Sequence, residues 1–205
     1  MRALLLVDVQ NDFLPGGSLA VTDGDKIVPV VNEVLEKFDL VVATKDWHPD
    51  DHKSFASQHF GRDVGEQIDL HGLSQVLWPD HCVQQTAGSE FSSDLDAAAI
   101  DHVIYKGDDS HVDSYSGFFD NGRRHATGLH DWLQAKGVTE LFIAGLATDY
   151  CVKFTALDAI ELGYRVSLIT DACRGVDLNP GDVDAAIKQM EASGVVMIKS
   201  EDIET

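Results

Sequence analysis

Six short runs along the chain are apolar at nearly every position: ALLLVDV (3–9), LVVATKD (40–46), HVIYKG (102–107), ELFIAGLA (140–147), RVSLITDA (165–172) and VVMIKS (195–200). A strand with water on one face alternates apolar and polar residues. Runs without that alternation read as strands covered on both faces. Between them, DKIVPVVNEVLEKF (25–38), HATGLHDWLQAKG (125–137), DYCVKFTALDAIELG (149–163) and NPGDVDAAIKQMEASG (179–194) carry apolar residues at helical spacing. Three of these stop at a glycine, Gly137, Gly163 and Gly194, the usual C-terminal signal. The last begins at Pro180 with an acidic first turn, which suits a helix N-terminus. Strand and helix in repeated succession predict an α/β fold, a parallel sheet with helices on both faces.

Residues 47–101 break this rhythm. They show no strand pattern and only a weak helical one near 93–99, yet they hold five of the nine histidines: His48, His52, His59, His71 and His81. A connection of that length inside a compact domain is usually functional. The chain therefore reads as one domain, 1–205, with a long metal- and substrate-binding insertion at about 47–101.

Composition narrows the classes of partner. The apolar and charged fractions, 44% and 24%, are those of a globular protein, whereas a formal net charge of −20 is far from neutral. Nucleic acid and anionic membranes both call for clustered Lys and Arg, so neither is expected as a partner. The N-terminus MRALLLVDVQNDF has too short an apolar run for a signal peptide, and no stretch reaches the length of a membrane span. Three cysteines (Cys82, Cys151, Cys173) without a CxxC pair suit a reducing cytoplasm.

In an open parallel sheet, ligands bind beyond the carboxyl ends of the strands. Asp8 follows the first predicted strand, Asp46 and His48 the second, Lys106 ends the third, and Ala147 to Cys151 follow the fourth. Asp8 lies after an apolar run, where an ionised carboxylate needs a partner, and Lys106 can supply one. Cys151, at the start of a predicted helix, would have its thiolate favoured by the helix dipole and by Lys106. Nucleophile, acid–base carboxylate and cationic helper are then Cys151, Asp8 and Lys106. The backbone amides of LATDYC offer an oxyanion cradle at the same helix end. Cys82 and Cys173 lack this setting and read as packing residues.

Asp46 and His48 are two apart, so in an extended segment both project to one side and could ligate one cation. WPDHC (78–82) adds His81 after a proline-stiffened turn. Two imidazoles and a carboxylate suit zinc, iron or manganese, and the ligands alone do not decide among them. His52 stands as a further ligand in reserve.

Taken together, LLLVDVQNDFLPGGSLAV, VATKDWHPDDHKSFASQH, LWPDHCVQQTAGSEF, YKG…DSYSGFFDN and IAGLATDYCVKFTALDA resemble the nicotinamidases, also called pyrazinamidases, of the isochorismatase-like cysteine hydrolase superfamily. The resemblance spans Arg2 to about Lys199. Its broad part is Asp8, Lys106 and Cys151. Its specific part is the pairing of DxH with WPxHC, because relatives acting on other substrates usually lack that metal site. The resemblance implies a six-stranded, mostly parallel sheet in a three-layer αβα sandwich and a catalytic triad of Asp8, Lys106 and Cys151. It further implies one divalent transition-metal ion on Asp46, His48 and His81, with zinc foremost. Phe13, Trp78 and Tyr115 correspond to substrate-pocket residues, and the amides of Ala147 and Cys151 to an oxyanion hole. Leu146–Ala147 corresponds to a cis peptide bond. The extra ligand of some relatives falls to His52 or Ser54. The implied activity is cytoplasmic hydrolysis of nicotinamide, and of pyrazinamide, through a cysteine thioester, feeding NAD salvage. In the family the metal binds the pyridine nitrogen. Monomer and homo-oligomer remain open.

Overall fold

A computed structural model describes residues 1–204. Its main sheet has six strands: β1 (Arg2–Val7), β2 (Val41–Asp46), β5 (His102–Lys106), β6 (Glu140–Leu146), β7 (Arg165–Arg174) and β8 (Val196–Ile198). Their order is β5-β2-β1-β6-β7-β8, and every pairing is parallel. All six lie where the unalternating apolar runs predict them. β1 is buried on both faces: Ala3, Leu5 and Val7 enter one core, Leu4 and Leu6 the other.

The helices divide unequally between the faces. α2 (Leu129–Ala135), α3 (Lys153–Glu161) and α4 (Asp182–Ala192) cover the first core through residues such as Leu133, Ala156 and Met190. The second core is closed by α1 (Ile27–Leu35), through Ile27, Val31 and Val34, together with loop residues Phe13, Val21 and Leu95. The result is the three-layer αβα sandwich.

Three expectations need correction. The 47–101 segment contains an antiparallel hairpin, β3 (Gln67–Leu70) and β4 (Leu73–Val76). His71 and Gly72 form its two-residue turn with φ of 55° and 84°, the backbone that a twisted hairpin favours. Four-residue strands around a His-Gly turn give too little alternation to be recognised. Near 93–99 only a single 3-10 turn forms, Ala97–Ala99. The predicted helix 149–163 is composite: one π-helical turn, Thr148–Val152, precedes α3.

Chain order sets the location of the site. After β1 the chain builds outward through β2 and β5, then returns to add β6 on the other side of β1. At such a reversal two neighbouring connections leave in opposite directions and open a crevice. β1 and β6 pair in register through Val7 and Gly145, so Asp8 and Ala147 emerge side by side.

Candidate active site

Lys106, at the end of β5, is the centre of the crevice. It is 1% exposed, and its ammonium reaches four acceptors. Nζ lies 2.8 Å from Asp8 Oδ2 and 2.5 Å from Asp46 Oδ1, and donates to Ser114 O at 3.0 Å and Cys151 Sγ at 3.3 Å. An unpaired buried ammonium would be prohibitive; here two carboxylates and a carbonyl replace its water. Burial alone would depress the Lys106 pKa, but Asp46 and Asp8 hold it well above the usual lysine value.

Asp8 follows β1 with φ 51°, in the left-handed region that Asp tolerates better than most side chains. The Thr44 hydroxyl donates to its Oδ1 at 2.6 Å. Burial pushes the Asp8 carboxyl above its ordinary range, against the pull of Lys106 and with the push of Asp46. That is the direction a carboxylate needs if it is to take and return a proton near neutral pH.

Cys151 sits in the π turn after β6, and the Leu146–Ala147 bond before that turn is cis. The Val152 amide donates to Ala147 O at 3.1 Å, across the wider turn. Burial pushes the Cys151 thiol well above its usual value, and Asp8 and Asp46 add to burial while Lys106 alone opposes it. The thiol therefore rests protonated and has to give up its proton locally. Asp8 and Asp46 offer carboxylate oxygens within 4.8 Å of Sγ.

Asp46 divides its two oxygens. Oδ1 takes Lys106, while Oδ2 faces His48 Nε2 at 3.6 Å and His81 Nε2 at 3.7 Å. Each imidazole is oriented from behind: His48 Nδ1 contacts Gly107 O at 2.8 Å, and His81 Nδ1 contacts Pro79 O at 2.8 Å. With Nδ1–H donated to a carbonyl, the Nε2 lone pair points at the carboxylate, which is the arrangement of metal-ligating histidines. His48 Nε2 is buried and has no hydrogen-bond partner. The donor set of Asp46, His48 and His81 thus fits a divalent transition metal. Burial works to raise the Asp46 carboxyl, but the neighbouring Lys106 and His48 outweigh it and hold it well below the ordinary range.

His52 and Ser54, the alternatives for an extra ligand, are bonded to each other, Nδ1 to Oγ at 2.7 Å. His52 Nε2 lacks a partner and groups with His48 and Asp113 rather than with Asp46 and His81. Burial and the neighbouring His48 push its pKa down to about 4, so the ring is neutral. His59 and His71 lie outside these clusters.

A cavity opens onto this chemistry, and Phe13, Trp78, Tyr115, Ala147 and Cys151 line it. Trp78 Nε1 donates to the Tyr115 hydroxyl at 3.1 Å, which fixes one aromatic wall. Asp46 and His81 face the same cavity, and Leu19, Asp113, Tyr150 and Val176, which are not among the sequence-derived residues, complete the lining. Nor is Gln10, whose side chain clasps the Asp46 backbone, accepting from its N–H and donating to its C=O, both at 2.8 Å. Its place in VQND, two residues past Asp8, is the one available signal. Asp113 is held by the Gln75 amide of β4 at 2.9 Å, a contact that the unrecognised hairpin hides.

Comparison with known proteins agrees with this geometry. The Isochorismatase domain family matches residues 2–202. The nicotinamidase of Escherichia coli K12 is 52% identical over 200 residues, covering 96% of this chain and 93% of that protein. The structure of an Acinetobacter baumanii nicotinamidase/pyrazinamidase superposes with a TM-score of 0.96 at 45% identity, covering 99% and 98% of the two chains. A zinc complex of the Pyrococcus horikoshii pyrazinamidase gives 0.78 at 40% identity, covering 97% and 98%.

Proposed function

The chain belongs to the isochorismatase domain family, on its nicotinamidase branch, and we propose that it hydrolyses nicotinamide to nicotinate and ammonia. The observation that carries this reading is the convergence of Lys106 on Asp8, Asp46 and Cys151 in one aromatic-walled cavity. The similarity to the E. coli and Acinetobacter enzymes supports it. Pyrazinamide, with the same carboxamide on a related ring, is the second substrate.

In this proposal Asp8 takes the Cys151 thiol proton as sulfur attacks the carboxamide carbon. The carbonyl π electrons move to oxygen, which the amides of Ala147 and Cys151 stabilise. Collapse of this intermediate breaks the C–N bond, and Asp8 returns its proton to the departing nitrogen, so ammonia leaves and a thioester remains. Asp8 next deprotonates water as it attacks the thioester. The C–S bond breaks, nicotinic acid forms, and the proton on Asp8 returns to the sulfur; the acid then ionises to nicotinate. Lys106 stays protonated throughout and offsets the negative charge on Asp8 and on sulfur. A divalent metal on Asp46, His48 and His81, zinc by likeness to the Pyrococcus complex, would supply a Lewis acid for the ring nitrogen. Phe13, Trp78 and Tyr115 would hold the ring plane. Nicotinate feeds pyridine-nucleotide salvage, and three unpaired cysteines suit a reducing cytoplasm.

Ammonia release from nicotinamide is the direct test, with an N-carbamoyl amine as the competing substrate. Faster turnover of the carbamoyl compound would reassign the substrate class.

A further inference from the structure

Asp149 stands two residues before Cys151, in the same π turn, and is 2% exposed. Its carboxylate does not point into the cavity. It accepts the backbone N–H of Val176 at 2.9 Å on Oδ1 and that of Asp177 at 2.8 Å on Oδ2. These amides belong to the connection after β7, and Val176 is a wall of the cavity that holds Cys151. The fit is close. A Cβ on Gly175 would lie 2.9 Å from Asp149 Oδ1, so this position accepts little beyond glycine. The tether continues outward, because Asp177 Oδ1 accepts the Gly181 and Val183 amides, at 3.0 and 3.2 Å, at the start of α4. One buried carboxylate therefore ties the nucleophile's turn to a wall of the substrate cavity.

We propose that Asp149 is a positioning residue for substrate affinity: it holds Val176 at a fixed place relative to Cys151, so that the ring of the amide is gripped while its carbonyl meets the sulfur. The inference rests on the amidase reading given above. Loss of the tether lets the 175–177 connection move away from the cavity without altering Lys106, Asp8 or Cys151 themselves. The effect belongs to binding shared by ground and transition state, which appears in KM rather than in kcat.

The test is a double-mutant cycle at positions 149 and 176. Asp149→Ala and Val176→Ala are each expected to raise KM for nicotinamide by roughly tenfold, with kcat falling less than about threefold. Asp149→Asn keeps one acceptor oxygen and should fall between wild type and Asp149→Ala. Because both changes remove the same wall, the double variant should be little worse than either single one. The same cycle in a Cys151→Ala background, read as calorimetric binding of nicotinamide, gives a second measure that needs no turnover. Multiplying effects in the double variant, or an Asp149→Ala enzyme with unchanged KM and reduced kcat, would overturn the proposal. If Asp149→Ala fails to fold, Asp149→Asn and Val176→Ala carry the cycle under the same criteria. A wild-type protein that neither binds nor hydrolyses nicotinamide would refute the amidase reading instead, and a cycle showing coupling cannot then be obtained.

Discussion

Cys151 has three charged neighbours that do not agree. Lys106 favours the thiolate, whereas Asp8 and Asp46, with burial, favour the thiol. The outcome is a protonated sulfur with a carboxylate oxygen of Asp8 within 4.8 Å to take its proton. Cys151→Ala should lower amidase activity by roughly 10⁴-fold or more, as loss of a nucleophile does elsewhere. Cys82→Ala and Cys173→Ala should stay within about threefold, since only the Cys151 sulfur accepts from Lys106 and lines the cavity among the described residues. Iodoacetamide labelling with peptide mapping checks the assignment; inactivation with Cys151 unmodified would refute it. At the imidazoles, His48→Ala should weaken binding of nicotinamide far more than binding of benzamide, which lacks the ring nitrogen. Titrating both amides into Cys151→Ala protein, with and without metal, decides the matter. Equal metal dependence would remove the ring-nitrogen role.

At the level of elements, the site depends on where strands end. β2 and β5 pair through Asp46 and Lys106, so two residues at matching strand ends supply the metal carboxylate and its cation. Immediately beyond, Gly107 turns with φ 70°, and its carbonyl holds His48 Nδ1. A Cβ at this position would overlap the His48 ring. Gly107→Ala is therefore strained twice, in backbone and in contact. It should lower metal affinity by about 10–100-fold, the usual cost of disturbing a ligand's support. Elemental analysis and competition with a chelator measure this directly. Undiminished metal content in a folded Gly107→Ala protein would show that His48 is held by other means.

For the whole molecule, 35 acidic against 15 basic residues set the balance. Surface pairs such as Lys26–Asp23 and Arg62–Glu66 are exposed and offset little of it. Self-repulsion destabilises the compact state, and salt screens it beyond the Debye length. Raising sodium chloride from about 10 mM to about 500 mM should raise Tm, by about 2–4 °C for each kcal/mol of repulsion removed. Scanning calorimetry across that series tests it, and a flat or falling Tm would mean that attractive pairs dominate.

The sequence alone determined the parallel sheet and most of the chemistry. Strands buried on both faces must be apolar throughout, and polar residues abruptly ending such runs, as at Asp8, Asp46 and Lys106, mark the edge where ligands bind. Likeness to known enzymes then singled out Cys151, Asp46, His48 and His81. Other features required the folded chain. The hairpin at 67–76 is too short to leave a periodic trace, and it alone explains why Gln75 supports Asp113. Gln10 and Asp149 act through backbone groups 36 and 27 residues away, and backbone amides and carbonyls carry no sequence signature. The balance of charges around Cys151 needed the folded chain for a similar reason. Lys106 favours the thiolate, whereas burial and two carboxylates oppose it, and their distances exist only once β1, β2, β5 and the turn after β6 have been brought together.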